Sequence, residues 1–543
     1  MKKTFIICAA AVTLVGTSCQ KYLNINQNPN SATASNPDYV LPQAIVYTAA
    51  NEDGFNDYGA QIAGYQANAG GYGGFGDNWT YDWSTSDYNG LWTGNYDVLQ
   101  DLQYIINTTD TSANMSYYTA VCKIMRAYNF ELLVDTYNDV PYSKALQGQS
   151  DVSPSYDSAA VVYVSLASLL DTAIALINNA PSTVTPIPSS SDPMFGGNMT
   201  NWKQFANTVK LRMIIRASGV VTFANTTFDP AGFLTTDAVV NPGYGRTSGA
   251  SGSQQNPNWN DWVGSYSGSA GNRAWMANTY VTGFYNGVKL FDTARARAIY
   301  YSWNETVLTT PPTYTYGAQL GTTNYSELSA PAYTSAWYCT AYGQSPSSIT
   351  SIGQLGSNIG VMKGPDMGEV LILAAESYFL QAEADMRGIL PGNAQNDYNS
   401  GIVASFNYLY ELSNGNLASG MNPAGDAAAY QADNATGAYA YLANYPTSGT
   451  PAQQLESIIT QKYIAMNMIT SQEAWNEYRR TGYPVSVNTQ TNAYLSFAST
   501  LSQATRPDKM STRILYPASE YSSNANNVPN NISPFTSLIF WAH

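Results

Sequence analysis

Apolar residues recur at helical spacing over several long stretches of the chain. The clearest is residues 155–179, where leucine, alanine and isoleucine keep an i, i+3, i+4 spacing. Similar spacing predicts helices over residues 91–108, 116–135, 201–218, 367–387, 395–412 and 451–480. Residues 450–453 (Thr-Pro-Ala-Gln) offer an N-cap, a proline at the first helical position and a glutamine three residues after the cap. Residues 201–204 carry a weaker version of this start signal.

The predicted helices come as neighbouring pairs, which is typical of stacked helical hairpins of the tetratricopeptide type, although no clear sequence repeat is visible. Between them, residues 220–350 are rich in Gly, Ser, Thr, Pro and aromatic residues and show little periodicity. A long irregular region in a compact protein is usually functional. We therefore predict a mainly all-α fold with one domain over residues 38–543. Its parts are a helical core over 91–218 and 367–480 and a loop-rich excursion over 220–350.

The first residues have the layout of an export signal. Lys2 and Lys3 precede an apolar segment over 5–15 that is too short to span a bilayer, and small residues follow it. We predict a lipoprotein signal peptide over residues 1–18, with Cys19 lipidated as the new N-terminus; the alternative is a general secretory signal with an unrelated cysteine. Residues 19–37 are predicted to be a flexible tether. The chain is thus expected to be anchored to the membrane by lipid and not to span it.

The charge of the chain excludes some partners. It has 23 Lys and Arg against 37 Asp and Glu, which gives a formal net charge of −14. Removing residues 1–18 takes away two lysines, so the basic count falls from 23 to 21 and the net charge becomes −16. Nucleic-acid binding needs clustered Lys and Arg and is therefore not expected. Sulfated and uronic glycans are disfavoured for the same reason.

Histidine and cysteine are scarce. The only histidine is His543, the last residue, which removes nearly every Ser-His, Cys-His and His-metal arrangement. We predict no catalytic residues, no metal site and no cofactor. Export permits a disulfide between Cys122 and Cys339, but Cys122 lies in an apolar helical pattern that better fits a buried free thiol.

Aromatic residues are the candidates for ligand binding. They make up 13% of the chain while charged residues make up only 11%, and many lie in two loops rich in Gly, Asn and Ser, residues 70–92 and 256–275. Trp79, Tyr81 and Trp83 alternate, so in an extended chain they would project to one side. Sugar rings can stack their C–H faces on such rings and pair their hydroxyl groups with Asn, Asp and Arg.

We therefore predict a ligand site built from both loops. Its residues are Asp77, Asn78, Trp79, Tyr81, Trp83, Trp259, Asn260, Trp262, Tyr266 and Arg273. The alternative for each ring is that it plugs its loop onto the helical core. Trp92 and Tyr96 continue a helical pattern and are predicted to be core residues.

Five stretches of the chain form an ordered series of motifs. They are NFELLVDTYNDVPYSKAL (129–146), NWKQFANTVKLRMIIRAS (201–218), EVLILAAESYFLQAEADMRG (369–388), EAWNEYRRTGYP (473–484) and RILYPASEYSSNANNV (513–528). Their order and spacing resemble those of the SusD/RagB-like outer-membrane lipoproteins of Bacteroidota over essentially the whole mature chain. The resemblance implies an α-helical fold on tetratricopeptide-type pairs. It also implies a surface-exposed nutrient-binding protein that sits as a lid on a SusC-like TonB-dependent transporter.

The charged residues of the fourth motif are expected to have structural roles. Glu473 and Glu477 precede Arg479 and Arg480 within helical reach, so ion pairs within or between helices are expected. We do not expect these residues to contact ligand.

Three functional classes remain open. The favoured one is a non-catalytic protein that captures neutral oligosaccharide at the cell surface and passes it to the transporter. The alternative is a peptide-binding uptake lid, because tetratricopeptide hairpins often bind peptides. A glycoside hydrolase is less favoured; it could use the carboxylate pairs Asp77 with Asp82 or Asp366 with Glu369, but neither pair lies in a recognised motif.

Overall fold

Helices form about half of the described chain and strands only a small part of it, which confirms the prediction of a mainly all-α fold. The computed structural model describes residues 35–68, 75–246, 248–249, 252–266, 271–272, 274–300, 359–487 and 492–543. The helices within these ranges are α1 (Pro37–Ile62), α2 (Gly76–Thr80), α3 (Asn89–Thr109), α4 (Ser116–Tyr137), α5 (Ala159–Asn178), α6 (Met199–Arg216), α7 (Pro257–Trp262), α8 (Thr279–Thr282), α9 (Thr293–Ile299), α10 (Ala374–Met386), α11 (Ala394–Tyr410), α12 (Pro423–Asp433), α13 (Ala440–Ala443), α14 (Pro451–Ala465), α15 (Ser471–Thr481) and α16 (Ala518–Ser523). The strands are β1 (Gln66–Asn68), β2 (Ala238–Val240), β3 (Ser248–Gly249), β4 (Gly252–Ser253), β5 (Trp275–Ala277) and β6 (Glu369–Ile372).

Capping side chains set the helix starts. At α14 the predicted capping box is confirmed: Thr450 Oγ1 accepts from the Gln453 N–H at 3.2 Å, and Gln453 Oε1 accepts from the Thr450 N–H at 3.0 Å. At α6 the cap is Asn198, whose side chain accepts from the backbone N–H groups of Thr200 and Asn201. The weaker start signal predicted at residues 201–204 therefore lies inside the helix.

Two predicted helices are interrupted. Residues 367–387 are β6 followed by α10, because residues 369–372 pair with β2 as a strand. Residues 451–480 are two helices, α14 and α15, separated at Met468, which has a positive φ of 61°. The Met468 carbonyl accepts a hydrogen bond from Asn56 Nδ2 at 3.2 Å.

The longest helix, α1, lies outside the predicted helices. It begins at Pro37, the last residue of the predicted tether, and Asn36 caps it. It buries polar residues such as Glu52 and Asn56 along with its apolar ones, which obscures the helical period. It packs on α3 and on α15. A Cβ atom at Gly59 would lie 2.1 Å from the backbone nitrogen of Gln472, so glycine permits this close approach of α1 to α15.

Consecutive helices pack on each other as hairpins, as predicted. α3 contacts α4, α4 contacts α5, and α10 contacts α11, while α6 and α14 both pack on α10 and so join the two helical blocks. One hydrophobic cluster runs through these elements from Leu41 to Trp541. Trp92 is buried in it and Tyr96 packs against it, as predicted for core residues.

One helix of the described residues, α5, is long and apolar enough to cross a membrane. Its inward face, which includes Leu166 and Leu170, lies in the hydrophobic core. The outward face carries Val161, which is exposed.

Cys122 is a buried free thiol in α4, as predicted. Burial raises the pKa of this thiol well above its usual range. Cys19 and Cys339 lie outside the described residues.

A buried ion network joins α4, α6, α10, α14 and α15. Its residues are Arg212, Arg216, Lys462 and Arg480 with Glu131, Asp135, Glu376, Glu383, Glu473 and Glu477. Arg212 donates to both oxygens of Glu131 at 3.0 and 2.6 Å, and Arg480 donates to both oxygens of Glu383 at 2.7 Å. The expected pairing of Arg480 with Glu477 is confirmed. Arg479 instead donates to the backbone carbonyl of Asp135 at 2.7 Å.

Two short antiparallel pairings hold the loop-rich part of the chain to the helices. β1, directly after α1, pairs with β5, and β2 pairs with β6 directly before α10. Trp275, the last residue of the second predicted ligand loop, begins β5, so this loop is tied through β1 to the end of α1.

Candidate functional site

The first aromatic loop folds as a short helix and a turn. Residues 76–80 form α2, and Tyr81 ends it in the left-handed conformation with φ 58°. The predicted extended alternation of Trp79, Tyr81 and Trp83 toward one side is therefore wrong.

Tyr81 and Trp83 point into the protein. The Tyr81 hydroxyl accepts from the Ser499 N–H at 3.0 Å, and the Trp83 indole N–H donates to Ser511 Oγ at 3.2 Å. Both rings are buried, so their expected exposure to a ligand is wrong. They fasten the loop to the C-terminal part of the chain.

The second aromatic loop contains α7. Asn256 caps this helix, since its side chain accepts from the Trp259 N–H at 2.9 Å. Trp259 and Trp262 are three positions apart, so they share one face of the helix, and that face is turned inward: their exposed fractions are 2% and 1%. The expectation that these two rings offer open faces is also wrong, and they plug the loop onto the core.

Glu369 holds α7 in place from β6. Its two carboxyl oxygens accept from Asn256 Nδ2 at 2.8 Å and Asn258 Nδ2 at 2.5 Å. Burial raises the pKa of Glu369 to about 8, and the two amide donors oppose that rise. Glu369 therefore helps to attach the second loop to β6. This role gives no support to the alternative in which Glu369 and Asp366 form a catalytic pair.

Carboxyl groups of α1, α7 and β6 lie close enough to raise one another's pKa values. We call Glu52, Asp53, Asp57, Asp261 and Glu369 the carboxyl cluster. Burial raises the pKa of Glu52 to about 8. Burial and the neighbouring Asp261 raise the pKa of Asp57 to about 7, and a hydrogen bond from Trp262 opposes them.

The carboxyl cluster has neither an ion-pair partner nor the arrangement of a metal site within the described part of the chain. No Lys or Arg there forms an ion pair with any of its members. No group of three His, Cys, Asp or Glu side chains among those residues could hold a metal ion.

The two loops meet. Phe75, just before α2, makes an edge-to-face contact with Trp275 at 4.5 Å between ring centroids. Phe75 also stacks on Trp79 at 5.7 Å, and Trp275 begins β5, which pairs with β1. Neither Phe75 nor Trp275 is among the predicted site residues. A sequence gives little signal for this contact, because it joins positions 200 residues apart.

Five predicted site residues remain at the surface. Asp77 and Tyr266 are exposed, Tyr266 by 40%, while Asn78, Trp79 and Asn260 are half-buried. We call these five residues the loop surface. Arg273 lies outside the described residues.

Hydrogen bonds fix parts of the loop surface. Asn78 Oδ1 accepts from the Tyr88 hydroxyl at 3.1 Å, and the Tyr266 carbonyl accepts from Arg246 Nε at 3.2 Å. Desolvation and the nearby Asp87 raise the pKa of Asp77. The loop surface thus combines aromatic rings with amide and carboxyl groups.

Two family models match successive parts of the chain. One is described as "Starch-binding associating with outer membrane" and matches residues 29–238. The other is described as "Susd and RagB outer membrane lipoprotein" and matches residues 328–536. No curated protein sequence matches the chain.

Solved structures share the fold. A chitin-binding SusD homolog from Flavobacterium johnsoniae is 21% identical with a TM-score of 0.63, covering 92% of this chain and 98% of its own. A SusD homolog from Bacteroides uniformis is 21% identical with a TM-score of 0.64, covering 93% and 99%. A SusD homolog from Parabacteroides distasonis is 19% identical with a TM-score of 0.60, covering 94% and 98%. The two family models, both of outer-membrane proteins, confirm the resemblance carried by the motifs: the chain belongs to the SusD/RagB-like family of outer-membrane proteins.

Proposed function

We propose that this protein binds neutral oligosaccharide on its loop surface and passes it, chemically unchanged, to a SusC-like TonB-dependent transporter. The observation that carries the proposal is the contact of Phe75 with Trp275. It brings the two loops together beside Trp79, while the second loop also carries Asn260 and the exposed ring of Tyr266. A family description that names starch binding and the chitin-binding relative support a glycan as the ligand class.

The loop surface suits a modest affinity. Covering one face of a tryptophan removes roughly 80–100 Å² of apolar surface, which contributes about 2 kcal/mol at ~25 cal/mol per Å². Trp79 is half-buried, so it offers less than a full face. Ordering the ligand takes back part of this free energy. A lid that closes over a transporter compensates by raising the effective concentration of ligand.

A binding screen tests the ligand class. Purified protein is titrated with neutral oligosaccharides of several linkages and, separately, with a peptide mixture. We expect saccharide binding that weakens about tenfold in Trp79→Ala and weakens in Tyr266→Ala. Tyr439→Ala is the matched control, because Tyr439 has an exposure of 37%, similar to Tyr266, and lies elsewhere. Binding of peptides without saccharides would favour a peptide-uptake lid and contradict the proposal.

Catalysis is tested on the same saccharides. We expect no release of reducing ends. Release that scales with protein and disappears in Asp77→Asn or Asp82→Asn would overturn the non-catalytic assignment.

The transporter partner is tested by purification. The family resemblance leads us to expect that the tagged native protein, extracted in mild detergent, co-purifies with a large TonB-dependent transporter. Repeated recovery of the protein without any such transporter would contradict the lid mechanism.

The lipid anchor is tested at Cys19. We expect Cys19→Ala to release the protein from the membrane fraction, because the predicted acylation site is lost. Retention in that fraction at the wild-type level would contradict a lipid anchor and cell-surface attachment through it.

A further inference from the structure

A cleft of about 660 Å³ opens between α10, α11 and residues 235–239. This volume lies in the range of about 300–1,000 Å³ typical of small-molecule sites. Its lining shares no residue with the loop surface.

Open polar groups line the cleft. Thr235, Tyr378 and Ser400 line it, and their hydroxyl groups make no hydrogen bond within the part of the chain that the structure describes. Asn399 uses its side-chain oxygen to accept from Gln431 Nε2 at 2.9 Å, which leaves its amide N–H groups available. The cleft therefore presents donors and acceptors that a ligand could engage.

The same cleft has apolar surface. Val403 and Ala404 on α11 lie between the polar positions, and Tyr378 adds an aromatic ring from α10. A ligand that fits must offer both hydroxyl groups and C–H faces, which is the surface chemistry of a sugar ring.

The charges of the cleft favour a neutral ligand. Asp237 and Glu411 are its carboxyl groups, and burial raises the pKa of both, that of Glu411 to about 7. Lys363 lies close enough to lower the pKa of each carboxyl group, and its ammonium group donates to the Tyr408 carbonyl. Glu411, with a pKa of about 7, is partly protonated at neutral pH and attracts a cation less than an ionised carboxylate would. Neither carboxyl group offers positive charge to an anion.

We propose that this cleft is a second saccharide site, which takes a neutral ligand the size of a mono- or disaccharide independently of the loop surface. The proposal takes its ligand class from the proposed function, but its location comes from the cleft alone. A second site would let the protein hold one part of a glycan on the loop surface and another molecule, or another end, in the cleft.

The test fills the cleft. Ala404→Trp places a large ring in it, and Gln395→Trp is the matched control, because Gln395 is exposed on the same helix outside the cleft. The probes are maltose, cellobiose and N,N′-diacetylchitobiose, measured by saturation-transfer NMR and titration calorimetry in the wild-type and Trp79→Ala backgrounds. We expect binding that remains in Trp79→Ala to fall at least tenfold on adding Ala404→Trp and to survive Gln395→Trp.

A smaller substitution tests the cleft in case Ala404→Trp does not fold. Asn399→Ala removes an amide from the cleft, and Asn396→Ala removes an exposed amide of the same helix outside it. We expect only the first to weaken probe binding, by about three- to tenfold, in a variant that remains folded although it loses the hydrogen bond from Gln431. A crystal soaked with the best probe should carry it in the cleft.

The outcomes separate the two sites. Loss of all probe binding in Trp79→Ala, with no effect of Ala404→Trp or Asn399→Ala, would overturn the cleft and leave the proposed function standing. Loss in Ala404→Trp with full binding in Trp79→Ala would support the cleft and overturn the loop surface. Spermidine is titrated as a cationic probe, and its binding without that of any disaccharide would contradict a neutral ligand. No binding of any disaccharide to the wild type would overturn the cleft.

Discussion

Buried carboxyl groups behave differently in two regions of this molecule. In the ion network, Arg212, Arg216 and Lys462 hold the pKa of Glu473 at about 2 although burial alone would raise it. In the carboxyl cluster, burial raises the pKa of Glu52 to about 8, and no cation of the described residues pairs with it. The same side chain at the same depth is ionised in one region and largely protonated in the other at neutral pH.

Because Glu473 and Glu52 are buried to a similar extent, the cations near Glu473 account for the difference between the two pKa values. Even the ion network has four buried cations for six carboxyl groups, and burial accordingly raises the pKa of its Glu131 to about 7 despite two arginines. The network fixes the helices to one another, while the cluster lies where the loops are attached.

The largest expected effect comes from breaking the network. Arg212→Met should lower the free energy of unfolding by about 5 kcal/mol, because it leaves buried carboxylates without their partner. Denaturant unfolding measures this. Lys123→Met, which removes a partly exposed pair with Asp110 at 3.0 Å, should cost less than about 1 kcal/mol. Equal effects of the two substitutions would contradict the role assigned to the network.

The next effect concerns the loop attachment. Trp262→Ala should lower the free energy of unfolding by about 4 kcal/mol, because it leaves a cavity where a fully buried ring stood. Thermal melting and denaturant unfolding measure the loss. A variant with wild-type stability and weakened saccharide binding would instead show that Trp262 contacts the ligand.

The pH dependence of stability tests whether Glu52 is protonated in the folded protein. The folded-state pKa of Glu52 is raised above its unfolded value, so the folded state binds the proton more tightly and stability falls as pH rises from about 4.5 through about 8. Glu52→Gln removes this contribution. Its stability relative to wild type should therefore rise by about 2 kcal/mol between pH 5 and pH 7. Denaturant unfolding at the two pH values measures it, and a constant difference would contradict the protonated state of Glu52.

The smallest expected effect on stability lies at the loop surface. Trp79→Ala should change the free energy of unfolding by about 1 kcal/mol, because the ring is only half-buried. Its effect should instead appear in saccharide affinity. A loss of stability as large as that of Trp262→Ala would place Trp79 with the anchoring rings.

Sequence patterns predict the local features of this fold well and the long-range ones poorly. The capping box at Thr450 depends on residues three apart, so the sequence contains all of it. The inward face of Trp259 and Trp262 depends on Glu369, more than one hundred residues away, which holds α7 through Asn256 and Asn258. Composition marks the loop aromatic residues as candidates for ligand binding, but it does not determine which side of a short helix faces the core.

The same limit applies to α1. Glu52 and Asn56 are buried because they have hydrogen-bond partners in α4 and α15. The spacing of apolar residues within α1 does not predict that these two polar residues are buried. For a similar reason, four aromatic rings of the predicted site, those of Tyr81, Trp83, Trp259 and Trp262, lie in the core.

The close approach at Gly59 has a consequence for the order in which the chain folds. α1 is the first described helix, yet its Asn56 hydrogen-bonds the backbone of Met468 and Ser471, 412 and 415 residues later. α1 can therefore complete its docking only after nearly the whole chain has been made. Contacts of such high sequence separation slow folding, so we expect α1 to gain amide-exchange protection late in refolding, after the hairpins α3–α4 and α10–α11.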